Sequence, residues 1–316
     1  MLILGIIVGT IAFFMLIGAV LHATYFKDKF VQIKPYGSLV DVDGGQMHVY
    51  SMGKGEKTIV LLPGMGVSLP SAEFGPLMRK LSQEYTVVCV EYFGVGFSSQ
   101  TSKPRTCENY VEEIRTAMGK AGFKAPYVLM PHSISSVYSE YYASKYPEEV
   151  EAVISLDGTS TAYYDEMPEF VKPLLGIAKF QQAIGVTSVV GALATNRKYL
   201  LSNGYTKNEI DDMVTFTGFT INDNVLEQIS NSADYIKQTM DLPYPASIPY
   251  FKVISKNTYE KPNKQIKITP KEYQYQHLAR IGDQAKYEIL DGNHFIYLNN
   301  STRISEIVDE VIGKEK

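Results

Sequence analysis

Met130-Pro131-His132-Ser133-Ile134-Ser135-Ser136 follows directly on the apolar run Tyr127 to Met130. A serine set among small residues, between a strand-like run and a helix-length segment, lies on a sharp strand-to-helix turn. In such an elbow the hydroxyl stands at the top of a sheet, and the next backbone N–H, that of Ile134, faces a reacting carbonyl. The usual pattern G-x-S-x-G has Pro131 and Ser135 in its glycine positions here. A serine that merely caps a helix gives a similar seven residues, so the flanking chain has to separate nucleophile from cap.

Outward from the turn, short runs of β-branched and apolar residues alternate with helical patterns. Thr58 to Leu62, Thr86 to Val90, Tyr127 to Met130, Ala152 to Leu156, Tyr250 to Ile254 and Tyr287 to Leu290 read as buried strands. Ala72 to Ser82, Cys107 to Ala121, Ser133 to Tyr146, Pro270 to Ile281 and Ser301 to Ile312 read as helices. Strands alternating with helices predict an α/β chain with a mostly parallel sheet covered on both faces. Ahead of them, Ser38 to Val42 and Met47 to Met52 flank Asp43-Gly44-Gly45, the turn chemistry of a hairpin. Residues 160–245 break the alternation with helical pieces only, many aromatics, and glycines at 176, 185, 191 and 204. A helical insertion of that length between two sheet strands either packs as core against the main sheet or serves as a lid over a pocket. The expected organisation is an anchor at 1–26, a core at 36–159 and 246–316, and a cap at 160–245.

The anchor rests on charge and length. Met1 to Phe26 holds no Asp, Glu, Lys or Arg, and Leu2 to Leu21 is almost wholly apolar. About twenty helical residues match a hydrocarbon core of about 30 Å. The segment opens without the lysine or arginine of a signal peptide, so a single-pass membrane helix is expected. Gly5-x-x-x-Gly9 gives it a small-residue packing face. Lys27, Lys29 and Lys34 lie on its C-terminal side and favour the cytoplasm for the rest of the chain by the positive-inside rule, while a short N-terminal anchor that exports its domain keeps the opposite side open. With a net charge of −4 and no basic run, a nucleic-acid surface is excluded and a small molecule is the expected partner. Cys89 and Cys107 make no disulfide framework and no metal pair, and Cys89 reads as a buried thiol.

Chemistry gathers at the strand ends. Thr58 to Leu62 runs into Pro63-Gly64-Met65-Gly66, where glycines let backbone approach a ligand and make the Met65 N–H a candidate oxyanion donor beside that of Ile134. A second glycine loop, Glu91 to Ser99, follows the next strand. Of five histidines only His294 comes late, after a strand, in Asp291-Gly292-Asn293-His294-Phe295. It is the expected base, in the chain order serine, acid, histidine. His22 falls in the anchor, His48 in the hairpin and His277 on an expected surface helix. His132, adjacent to Ser133, points off another side of the elbow and is expected to pack or line the pocket with Gly64, Gly66 and Phe295.

Together these four loops resemble the α/β-hydrolase superfamily, over about residues 38 to 314. The resemblance implies an eight-stranded, doubly wound, mostly parallel sheet, a cap formed by the insertion, and hydrolysis through an acyl-enzyme with no metal or organic cofactor. The family usually carries its acid after the strand matching Tyr250 to Ile254, where this chain reads Ser255-Lys256-Asn257-Thr258-Tyr259-Glu260. Some relatives place it one strand earlier, where Ser155-Leu156-Asp157-Gly158-Thr159 ends the preceding run. Asp157 is therefore the first expectation for the acid and Glu260 the alternative. In that arrangement His294 deprotonates Ser133, and the acid fixes the imidazole tautomer. Esterase or lipase-like action on an apolar or lipid ester is the expected activity. Aminopeptidase or amidase action, for which Asp165, Glu166, Glu169, Asp211 and Asp212 are available to meet an amine, stays open. So do cofactor-free haloperoxidase or lyase chemistry and a membrane-tethered binding or sensor module.

Overall fold

The computed structural model describes residues 2–166, 172–263 and 266–313; Glu169 lies outside them. Eight strands form one sheet in the order β1-β2-β4-β3-β5-β6-β7-β8. They are β1 Ser38–Val42, β2 Gly45–Met52, β3 Thr58–Leu62, β4 Thr86–Val90, β5 Tyr127–Pro131, β6 Val150–Leu156, β7 Tyr250–Ser255 and β8 Ala285–Leu290. The first hairpin turns through Asp43 and Gly44, both at positive φ (48° and 81°). β1 pairs antiparallel with β2 and β2 antiparallel with β4, and all other pairs are parallel. The expected eight-stranded, mostly parallel sheet is the one that forms.

Side chains that alternate along each strand divide the interior into two cores. Val60, Leu62, Val88, Val90, Leu129 and Val153 face one, with Tyr110, Ile114, Tyr138 and Tyr142 of the helices Cys107–Lys120 and Ser135–Lys145. Ile59, Leu61, Val87, Cys89, Val128 and Met130 face the other, with Leu77, Met78, Ile304, Ile307 and Val308 of the helices Gly75–Leu81 and Ser301–Ile312. Burial on both faces explains why these strands read as unbroken apolar runs.

Between β6 and β7 the described residues form six helices: Lys172–Ala183, Val186–Ala194, Arg197–Ser202, Lys207–Thr217, Asp223–Ser230 and Ser232–Met240. Arg105, wholly buried, fastens this insertion to the core. Its N–H donates to Glu227 at 2.9 Å, while its guanidinium forks onto both oxygens of Glu113 at 2.7 Å each. Glu113→Ala leaves that guanidinium buried without its carboxylate, over the Tyr110 ring alone, and the expected cost is about 3–5 kcal/mol, read as a lowered denaturation midpoint in urea.

Two features depart from the expectations. The N-terminal helix does not end at Phe26 but runs on through a wider turn, His22–Phe26, and the short helix Lys27–Gln32. No proline or glycine intervenes between Ala19 and Lys34, and Pro35 then biases the chain away from helix. His277, expected on a surface helix, is fully buried. Its Nε2 faces Glu140 Oε1 at 2.8 Å and its Nδ1 lies 2.6 Å from Lys252 Nζ. Glu140 also meets Arg280 at 3.0 Å, so opposite charges drawn from three elements neutralise one another beneath the sheet edge.

Candidate active site

Four loops at the C-terminal ends of β3, β5, β6 and β8 converge. After β5, Ser133 takes φ +55°, a left-handed conformation that costs a side-chain-bearing residue about 1–2 kcal/mol and collects at functional turns. Bonds from the Ser135 N–H to His132 O (3.1 Å) and from the Ser136 N–H to Ser133 O (3.1 Å) wind the chain into the helix Ser135–Lys145. The two irregular positions of the elbow have structural answers. Pro131 closes β5 in register with Leu62. Ser135 fits a glycine's place because its hydroxyl is fully buried between Pro63 O, to which it donates, and Tyr92 OH at 2.7 Å.

The loop after β3 lies directly against that elbow. A Cβ on Gly64 would stand 2.5 Å from His132 Nδ1 and 3.0 Å from Ser133 Cβ, so only glycine permits the approach. Among the described residues, neither the Met65 nor the Ile134 N–H is committed to another hydrogen bond. Both are open to an incoming oxyanion.

After β8, His294 reaches both neighbours. Its Nε2 lies 2.8 Å from Ser133 Oγ and its Nδ1 2.8 Å from Asp157 Oδ2. The tautomer that suits both contacts has Nδ1–H donating to the carboxylate and Nε2 accepting the serine proton. Asp157, directly after β6, is almost completely buried and also adopts a positive φ, +47°. Burial alone would raise its carboxyl. The bond from His294, the charge on that ring, the Thr258 hydroxyl and the Ser255 N–H outweigh burial and hold it below the ordinary carboxylate range. Glu260 ends the short helix Lys256–Glu260 in an exposed position, and among the described residues nothing links it to His294.

The loop after β7, the family's usual place for the acid, thus supplies donors instead. The Ser255 N–H donates to Asp157 Oδ1 at 2.7 Å and Thr258 Oγ1 to Oδ2 at 2.7 Å. Their roles were not legible in the sequence, since a serine and a threonine in a loop carry no mark of the carboxylate they will meet.

His132 and Gly64 pack against each other. The His132 ring lies 4.7 Å from that of His294, and its Nε2–H donates to His294 O at 3.0 Å, which steadies the loop carrying the base. Burial, reinforced by the adjacent His294, pulls the His132 imidazole down to about 3 from 6.5. The unfolded chain therefore takes up a proton near 6.5 that the folded chain refuses until about 3. This contribution to stability is complete above pH 6.5 and drains away as pH falls. His132→Gln, which keeps an N–H donor but does not titrate, is expected to flatten the acid limb of stability by at most about 1.4 kcal/mol per pH unit, measured by urea denaturation at stepped pH.

Beside the turn opens a cavity of about 270 Å³ lined by Gly66, Val67, Phe295 and Leu298 from the core and Thr195, Leu200, Met213 and Thr217 from the insertion. Gly66 and Phe295 stand in it. Glu73, which nothing in the sequence marked, gives it a carboxyl, bonded by the Tyr297 hydroxyl at 2.6 Å and raised by burial to about 7. Geometrically the site offers a hydroxyl, a base, an orienting acid, two free N–H groups and a largely apolar recess.

Residues 57–182 match the family model described as alpha/beta hydrolase fold. An uncharacterized protein of Bacillus subtilis (strain 168), YbdG, is 29% identical over 286 residues, which span 89% of this chain and 87% of that protein. The 2-(acetamidomethylene)succinate hydrolase of Mesorhizobium japonicum is 29% identical over 118 residues, 37% of this chain and 42% of that enzyme. Among solved structures, the Cif epoxide hydrolase from Acinetobacter nosocomialis superposes with a TM-score of 0.68, covering 93% of this chain and 96% of its own at 14% identity. At that identity the likeness is one of fold.

Proposed function

We propose that this member of the alpha/beta hydrolase superfamily is a serine hydrolase that cleaves a carboxylic ester with an apolar acyl or alkyl group. The observation that carries the reading is the unbroken line from Ser133 Oγ to His294 Nε2 and from His294 Nδ1 to Asp157 Oδ2, each step 2.8 Å. His294 takes the proton of Ser133 as Oγ bonds to the acyl carbon, and the carbonyl electron pair moves onto oxygen. The Ile134 and Met65 N–H groups hold that oxyanion. The tetrahedral adduct collapses when the alkoxy group leaves with the proton from His294 Nε2. Water then repeats the sequence on the acyl-enzyme, with His294 as base, and releases the acid. Asp157 holds the imidazole in the tautomer both half-reactions need.

The cavity of about 270 Å³ suits one apolar group, with Glu73 as its polar end. The insertion, whose Thr195, Leu200, Met213 and Thr217 roof the cavity, acts in this reading as a cap. The N-terminal helix is long and apolar enough to cross a membrane, and none of its apolar stretch is buried. We assign it as the anchor, with Lys27, Lys29 and Lys34 and the catalytic part on the cytoplasmic side.

The test uses the full chain in detergent, a fluorophosphonate probe and a chain-length series of p-nitrophenyl esters. Labelling together with ester turnover, both absent from Ser133→Ala, supports the assignment. A folded wild-type chain that neither labels nor turns over any ester sinks it in favour of a binding module. Labelling with turnover of anilides alone points to an amidase.

A further inference from the structure

We infer that the helical pair Lys172–Ala183 and Val186–Ala194 is a second membrane-contacting element, seated in the same bilayer that the N-terminal helix crosses, and that the site draws its ester from that bilayer. The substrate part of this inference rests on the hydrolase reading above; the membrane contact does not.

The two helices meet at an 80° bend, and together they are long and apolar enough to enter a membrane. The second, Val-Thr-Ser-Val-Val-Gly-Ala-Leu-Ala, carries no charge. Their apolar side chains are turned to the outside: Phe180 is 53% exposed, Val190 55% and Leu193 82%, with Leu174, Ile177 and Val189 also exposed. A water-facing surface of that composition is rare on a soluble domain. The one lysine in this stretch whose side chain is described, Lys179, is taken up by Asp223.

What identifies the occupant as lipid is the contact with the N-terminal helix. The turn between the pair lies against Gly18: a Cβ on Gly185 would stand 2.5 Å from Gly18 O, and one on Gly18 would strike Ile184 O. Just beyond, His22 Nδ1 meets Ser188 Oγ at 3.1 Å and the His22 ring stacks on Phe219 at 4.5 Å. Gly18 lies nine residues before Lys27, the first charge of the chain, a rise of about 13 Å along the helix. With Tyr25, Phe26, Lys27 and Lys29 at the headgroup level, where aromatic rings and lysines settle, the Ile184–Gly185 turn reaches the hydrocarbon. The pair is tethered at that depth and presents apolar side chains there.

The route to the site is short. Val186–Ala194 leads directly into Thr195, which lines the cavity shared with Gly66 and Phe295. An ester whose chain lies in the bilayer would meet that helix before it met water, so the substrate class we assign is a membrane-resident lipid ester.

The test reconstitutes the full chain in phosphatidylcholine vesicles with single added cysteines Val190→Cys, Leu193→Cys and, as a solvated reference, Lys124→Cys, each carrying a polarity-sensitive fluorophore. Native Cys89 and Cys107 are buried and stay unlabelled. The expected result is a blue shift and quenching by nitroxide-bearing lipid acyl chains at 190 and 193 and neither at 124. Positions 190 and 193 quenched no more than 124, on chains that float with the vesicles, overturn the inference, as does failure of the chain to float. The pair Val190→Asp with Leu193→Asp is expected to raise KM for a long-chain ester dispersed in the vesicles about tenfold or more, with turnover of a soluble short-chain ester unchanged. Equal loss on both esters overturns the substrate part. A wild-type chain that turns over neither ester while 190 and 193 quench refutes the hydrolase reading and leaves the membrane contact standing.

Discussion

Ser133→Ala is expected to lower kcat on any ester the chain turns over by about 10⁶-fold and to abolish fluorophosphonate labelling. The magnitude follows from the geometry: with Oγ gone, His294 Nε2 loses the only proton it is placed to take, and no acyl-enzyme forms. What remains is the pull of the Ile134 and Met65 N–H groups on a carbonyl attacked by water, worth about 10³–10⁴ over the uncatalysed reaction. The fold should survive, because the Ser133 backbone, not its hydroxyl, ties the elbow down. Its N–H donates to Leu156 O at 3.2 Å, and its carbonyl accepts from the Thr159 N–H at 3.0 Å. Ser133→Gly separates chemistry from strain. It should be as inactive as the alanine variant yet more stable by about 1 kcal/mol, since glycine adopts φ +55° without the Cβ clash. Retention of more than a hundredth of wild-type kcat in either variant would remove Ser133 from the reaction.

Asp157→Asn is expected to cost about 10⁴-fold in kcat with KM little changed. An amide in place of the carboxylate would present an N–H where His294 Nδ1–H now donates. The ring would then turn, or adopt the tautomer that carries its proton on Nε2, where it cannot accept from Ser133. The position suits the test, because asparagine tolerates the left-handed φ of +47° better than most residues. The Ser255 N–H can still bond the amide oxygen at the Oδ1 place, and Thr258 Oγ1 can turn to accept from the amide N–H at the Oδ2 place. Glu260→Gln, which changes an exposed carboxyl remote from the imidazole, should leave kcat unaltered. Were the two outcomes reversed, the acid would have to be reassigned to Glu260.

Most of the architecture was readable from period and punctuation. Strands buried on both faces advertise themselves as short apolar runs, so β3, β4, β5 and β6 were located to within about two residues, and the Asp43-Gly44 turn could be read from residues that tolerate positive φ. The insertion was legible as an interruption of the alternation. Less visible were features that depend on which elements meet. Lys252 sits in the middle of an apolar strand and Glu140 inside a buried helix, and only the packing of Pro270–Ile281 onto both shows why His277 is buried with them. Glu73 gave no signal either, because a single glutamate near a helix start is an ordinary sight. Only Tyr297, 224 residues away, and the cavity lining set it apart.

The chain by itself determined the order of its loops: a glycine turn, a serine elbow, a carboxylate and a late histidine, each following a strand. Such information is local, since it lives in hydrogen-bonding capacity, side-chain volume and the φ values a few neighbouring residues allow. Which carboxylate stands beside His294 was a tertiary decision. Asp157 and His294 are 137 residues apart, and their 2.8 Å contact exists because parallel pairing places the ends of β6, β7 and β8 side by side. That register brings the donors after β7 under Asp157 and leaves Glu260 in solvent. Tertiary packing likewise set the first two insertion helices against Gly18. Apolar residues in a sequence announce burial without saying whether protein or lipid will cover them, and only the surfaces left open after folding distinguish the two.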